Sequence, residues 1–82
     1  MGQYDIPLKY RTVIKGLKKL GLKNKGGSKH DKFECPTTGN STMVSRHVVL
    51  NKFTAGSILQ FLSDNGYSDE DIEKAFKIKL HK

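Results

Sequence analysis

Lys25-Gly26-Gly27-Ser28-Lys29-His30-Asp31-Lys32-Phe33-Glu34-Cys35-Pro36 is the stretch from which the rest of the chain takes its layout. Two adjacent glycines release the backbone into a tight turn, because a residue without Cβ adopts positive φ at little cost. Beyond them, Ser28 to Cys35 reads as a strand. Alternation along it puts Phe33 and Cys35 on one face, with Lys29 and Asp31, and puts His30, Lys32 and Glu34 on the other. If helices cover the Phe33 side, His30 looks to solvent. Histidine exchanges a proton near neutral pH, and lysines beside it suit a phosphate. The strand therefore reads as a proton-transfer group in a basic frame, suited to binding or attacking RNA.

Outward from this strand the chain falls into short, well-punctuated elements. Leu22 to Lys25 forms a first strand, joined to the second through the Gly26-Gly27 hairpin signal. Pro36 to Asn40 is a turn, and Ser41 to Ser45 is a third strand. Upstream, Tyr10, Val13, Ile14, Leu17 and Leu20 recur at helical spacing, and Gly21 supplies a left-handed cap. Gly16 inside that helix costs about 1 kcal/mol against alanine, which points to close packing there. Downstream, Arg46 to Phe53 reads as a connector with Val48, Val49 and Leu50 tucked under a second helix. Thr54 is the expected N-cap of that helix. Ile58, Leu59, Phe61 and Leu62 give it an apolar body, and Asn65-Gly66 ends it. Ser68 caps a third helix whose first turn carries Asp69, Glu70 and Asp71, complementing the helix dipole, and whose buried side is Ile72, Ala75 and Phe76.

Residues 1–8 show no periodicity and read as a loose amino-terminal arm, with residues 9–82 a single domain. The expected fold is α+β: a two-layer sandwich of helix, three-stranded antiparallel sheet and helix, with a short extra helix at the carboxyl end.

The chain has 82 residues and a net charge of +7, room for one small core. The charge is polarised: residues 1–52 hold 11 Lys and Arg against Asp5, Asp31 and Glu34, whereas residues 53–82 are close to neutral. Such polarity suits a polyanion-facing front, although basic excess also serves solubility. The single cysteine, Cys35, excludes an internal disulfide scaffold. No apolar run approaches a membrane span and no signal peptide is read at the start, so a cytoplasmic location without membrane association is expected.

Each candidate residue has a bland alternative. His30 is either a general acid or base, or a surface histidine beside Asp31. His47 follows the third strand and could contact RNA, take part in catalysis, or serve as a structural hydrogen-bonding residue. His81 reads as solvated. Zinc is not expected, because Cys35, His30 and His47 lack the spacing of a structural site and Cys35 and His30 fall on opposite strand faces. No cofactor is implied, and Cys35 reads as a small core hydrophobe. Lys25, Lys29, Lys32, Arg46 and Lys52 flank the loop and strand ends, where they suit phosphate and 2′-hydroxyl contacts or discourage edge-to-edge aggregation.

Four segments in order resemble the HicA-type toxins, small mRNA interferases of toxin–antitoxin systems. They are Val13-Ile14-Lys15-Gly16-Leu17-Lys18-Lys19-Leu20-Gly21, then Gly27-Ser28-Lys29-His30-Asp31-Lys32-Phe33, then Pro36 and Gly39 leading to Val44-Ser45-Arg46-His47, and Ala55-Gly56-Ser57-Ile58-Leu59. The resemblance implies a double-stranded-RNA-binding-domain-like fold and a metal-independent endoribonuclease acting on mRNA with His30 as the catalytic residue. The RNA contacts expected with it are Lys25, Ser28, Lys29, Lys32, Arg46 and His47. It further implies a cognate HicB-type antitoxin, and a homodimer or a toxin–antitoxin hetero-oligomer as the assembly. Lys29 separates Ser28 from His30, where many members place the histidine directly after the small residue. A one-residue shift reverses strand facing unless the turn absorbs it. Two other classes fit the same residues: a non-catalytic RNA-binding module, and a protein-interaction domain whose basic front docks an acidic partner.

Overall fold

The computed structural model describes residues 4–27 and 29–80. In chain order the elements are β1 (Leu8–Lys9), α1 (Tyr10–Lys19), β2 (Lys23–Asn24), β3 (His30–Glu34), β4 (Ser41–Ser45), β5 (Val49–Leu50), α2 (Lys52–Asp64) and α3 (Asp69–Phe76). Strands β2, β3 and β4 form a three-stranded antiparallel sheet with β3 in the middle, and β1 pairs with β5 in a separate two-stranded sheet. The architecture is α+β, with helices on one face of the three-stranded sheet.

The core lies between that face and the helices. Phe33 and Val44 are fully buried on the sheet, against Val13 and Leu17 of α1, Ile58, Leu59 and Leu62 of α2, and Ile72 and Phe76 of α3. The Phe76 ring rests against Gly16, where a Cβ would overlap it. This is the close approach that a glycine inside an otherwise regular helix indicates, and it binds α3 to α1 as part of the fold.

Three readings differ from the structure. Residues 4–8 are packed rather than loose: Tyr4 and Leu8 are buried, and the Tyr4 hydroxyl donates to Asp69 Oδ1 at 2.6 Å. Residues 1–3 of the expected arm lie outside the described residues. In the connector, only Leu50 is buried, while Val48 and Val49 are 83% and 55% exposed. Pairing of β5 with β1 turns Leu50 inward beside Leu8 and sends Val49 outward by strand alternation, whereas Val48 lies before the strand begins. The cap of α2 is Asn51, whose side chain accepts from the Thr54 N–H at 2.9 Å, so the helix begins two residues before Thr54. Ser68 caps α3 as read, accepting from the Asp71 N–H.

Candidate functional site

Strand β3 alternates as its sequence demands: Asp31 and Phe33 are buried, and His30 and Lys32 are exposed. Register opposes His30 to Ser45, Lys32 to Met43 and Glu34 to Ser41, and on the other side Lys23 to Glu34. Directly opposed residues share a face, so the open face presents His30, Lys32 and Lys23 with the half-exposed Met43. Lys25 extends the β2 edge, its N–H donating to the Lys32 carbonyl at 2.6 Å. Its Nζ lies 3.7 Å from Glu34 Oε1. Lys29 is exposed immediately before the strand.

The glycine turn ahead of the strand is tight. Gly26 and Gly27 have φ of 76° and 156°, and a Cβ on Gly27 would meet the His30 carbonyl. This compact geometry lets the strand begin at His30 with its imidazole facing outward.

Behind His30, on the inner face, lies a polar hub that sequence reading did not assemble. Asp31 is the buried charged residue of the core, 6% exposed. It accepts from the Tyr10 hydroxyl, from Arg46 Nη2 at 3.1 Å and from Asn24 Nδ2 at 3.5 Å. Arg46 Nη2 also donates to the Gly27 carbonyl at 2.9 Å, and Asn24 Oδ1 accepts from the Gly26 N–H at 2.7 Å. The glycine turn is therefore tied to the buried carboxylate from both sides. The Tyr10 hydrogen bond, with Arg46 and Asn24 and against the opposing effect of burial, holds the Asp31 carboxyl below its ordinary value. The same bond, then burial, raises the Tyr10 phenol. The signal for this hub was the place of Asp31 on the Phe33 face, because a carboxylate turned inward requires donors. Which donors reach it depends on how α1 and the end of β4 pack over the sheet.

Two consequences follow for the candidate residues. Asp31 faces away from His30 along the strand and is engaged elsewhere, so it does not orient the imidazole. Arg46, read as an RNA contact, also binds Asp31 and the glycine turn, with its side chain 45% exposed. His47 is exposed two residues beyond Ser45, the cross-strand partner of His30. Ser28 and His81 lie outside the described residues.

Cys35 is fully buried at the inner end of β3, remote in facing from His30, so the two do not converge on one ion. Burial raises its thiol, but the Thr38 hydroxyl and the N–H groups of Thr38 and Thr37, with the Tyr67 hydroxyl, hold it at about 7. Burial and then Cys35 push Tyr67 up to about 12. Among the described residues no group of three His, Cys, Asp or Glu is placed to hold a metal ion, and no described helix is long and apolar enough to cross a membrane.

The arrangement offers solvent-facing cations and one imidazole on an open sheet, a geometry able to bind phosphates and pass a proton to or from a bound strand. No family model matches the chain, and no curated protein or solved structure matches it.

Proposed function

We propose that the chain is a metal-independent endoribonuclease of the HicA type, cleaving mRNA bound across the open face of β2–β3–β4 with His30 as a general acid or base. The observation that carries this reading is the exposure of His30 on the same strand face as Lys32, with Lys29 beside it. In such a cleavage a base takes the proton of a ribose 2′-hydroxyl and the oxygen attacks the adjacent phosphorus. The P–O5′ bond breaks and an acid protonates the departing oxygen, giving a 2′,3′-cyclic phosphate and a 5′-hydroxyl. One positioned acid or base contributes about 10²–10⁴-fold. His30 fills one of these roles and His47 is the candidate for the other. The resemblance adds a toxin role and a HicB-type antitoxin, whose acidic residues would cover the basic strand face.

A second reading, RNA binding without cleavage, draws on one observation. Among the described residues no hydrogen bond or ion pair engages the His30 side chain, so no described neighbour sets the ring's orientation.

The deciding experiment incubates purified parent and His30→Ala protein with mRNA, scoring cleavage and binding separately. Cleavage should vanish while folding and RNA affinity survive, because exposed substitutions usually shift stability by no more than about 0.5 kcal/mol. A parent that binds but never cuts would establish the second reading. A folded His30→Ala protein cutting at the parental rate would reject the role of His30.

A further inference from the structure

The segment Arg46-His47-Val48, between β4 and β5, is held in place without being buried. All three residues are exposed, Val48 at 83%, so burial does not fix them. Hydrogen bonds do so from both ends. Arg46 Nη2 donates to Asp31 Oδ1 at 3.1 Å and to the Gly27 carbonyl at 2.9 Å. The Val48 carbonyl accepts from the Tyr10 N–H at 3.0 Å. That N–H opens α1, where donors lack intrahelical partners and the N-cap residue Lys9 makes no side-chain cap. The circuit closes because the Tyr10 hydroxyl donates to Asp31. Asp31, Arg46, Val48 and Tyr10 thus form one loop of bonds, and His47 is the residue at its outer rim.

Stability alone is a poor reason for such a circuit, since a buried ion pair gains little over apolar packing of the same volume. What the circuit fixes is position. His47 itself takes part in no hydrogen bond or ion pair among the described residues. Its backbone is nonetheless pinned on both sides to the residue that follows His30. His30 pairs across the ladder with Ser45, two residues before His47. Paired Cα atoms lie about 5 Å apart and two chain steps add at most about 7 Å. The Cα atoms of the two histidines therefore lie within about 12 Å of each other. With Arg46 turned in onto Asp31, extended backbone sends His47 out, to the side that His30 faces.

We infer that Tyr10 and Asp31, acting through Arg46 and Val48, are positioning residues that hold His47 beside His30. The two imidazoles then address opposite oxygens of one phosphodiester, the attacking 2′-oxygen and the departing 5′-oxygen. The inference rests on the cleavage reading above and extends it. The circuit touches no reacting atom and leaves the His30 ring unoriented; it sets the spacing between the two backbones that carry the proton-transfer groups.

The test opens the circuit at Tyr10. Tyr10→Phe removes the hydroxyl but keeps the aromatic ring and the N–H, and Asp31 retains Arg46 and Asn24 as donors, so the variant should fold. In the ¹⁵N-labelled full chain, heteronuclear NOEs of residues 46–48 should fall in Tyr10→Phe while those of 31–34 stay high. Cleavage at saturating mRNA should slow about 10- to 10²-fold, the scale of a misplacement of about 1 Å, with KM unchanged. In a His47→Ala background the same substitution should slow cleavage no further, whereas a general loss of stability would slow both backgrounds alike. Arg46→Ala, which opens the circuit on its other side, should repeat the pattern. Residues 46–48 as ordered in Tyr10→Phe as in the parent, or equal slowing in both backgrounds, would overturn the inference. A parent that never cuts mRNA would reject the cleavage reading. Loss of order in Tyr10→Phe would then still establish the hold on His47, and unchanged order would overturn that as well.

Discussion

Arg46 donates from one nitrogen to Asp31 Oδ1 at 3.1 Å and to the Gly27 carbonyl at 2.9 Å. A residue just past β4 thereby joins a buried carboxylate to the turn that precedes His30. Removing the carboxylate leaves the Tyr10 hydroxyl without this acceptor and the guanidinium with the Gly27 carbonyl, whereas removing Arg46 leaves Asp31 its bonds to Tyr10 and Asn24. Asp31→Ala should therefore cost about 1–3 kcal/mol, and Arg46→Ala less, because its side chain is 45% exposed and a partly solvated ion pair contributes little. Urea denaturation of the two variants measures the order. Arg46→Ala proving the more damaging would contradict the hub as described.

Acid dependence follows from the same bonds. The Asp31 carboxyl lies below its ordinary value because of Tyr10 first, then Arg46 and Asn24, despite burial. A depressed folded pKa contributes stability that is complete above the unfolded value, about 3.9, and is lost as pH falls through the folded value. The stability gap between the parent and Asp31→Asn should be constant near neutrality and narrow below about pH 4. Tyr10 carries the opposite sign: its raised folded value keeps its contribution complete below about pH 10 and loses it as pH climbs through that higher value. Denaturation midpoints across pH check both, and a gap that ignores acid would count against the Asp31 assignment.

Gly16 and Phe76 set a packing prediction. Alanine in a helix gains about 1 kcal/mol over glycine, but here its methyl would enter the Phe76 ring, and overpacking costs about 1–3 kcal/mol. The net expectation for Gly16→Ala is destabilisation, partly relieved when Phe76 is also reduced to leucine. Additive effects in the double variant would show that the two residues are not coupled.

Salt dependence of RNA binding separates cations that meet phosphate from cations already paired within the protein. Each phosphate contact to a single strand contributes about 0.7 to the slope of log affinity against log salt. Lys32→Ala should flatten the slope by about that amount, and Lys25→Ala by less, since Lys25 is shared with Glu34 at 3.7 Å. Arg46→Ala should leave the slope almost unchanged, because Asp31 and Gly27 already hold its guanidinium. Fluorescence anisotropy over a salt series provides the measurement. Equal flattening by Arg46→Ala and Lys32→Ala would show that Arg46 meets phosphate as Lys32 does.

Several parts of this protein were determined by local sequence alone. Period-two alternation from Asp31 to Cys35 set which side of the strand is buried, and hence that His30 faces outward. The apolar spacing of α1 and the serine and acid cluster opening α3 were equally local, because each depends on hydrogen bonds within a turn or two. Gly16 announced a close approach, though Phe76 as the other party required the fold. Tertiary structure decided the rest wherever a partner lies far along the chain. The choice of Asn51 over Thr54 as cap turned on where β5 ends, and β5 exists because Leu50 meets Leu8 across the chain. That same pairing buried Leu50 while exposing Val49, two residues alike in hydrophobicity. The pairing of Arg46 with Asp31 was not legible, because an arginine in a basic segment carries no mark of its partner. Sheet register and the packing of α1 brought Asp31, Tyr10 and Arg46 together, and charge pairing of that kind is set by distance in space, which local sequence does not encode.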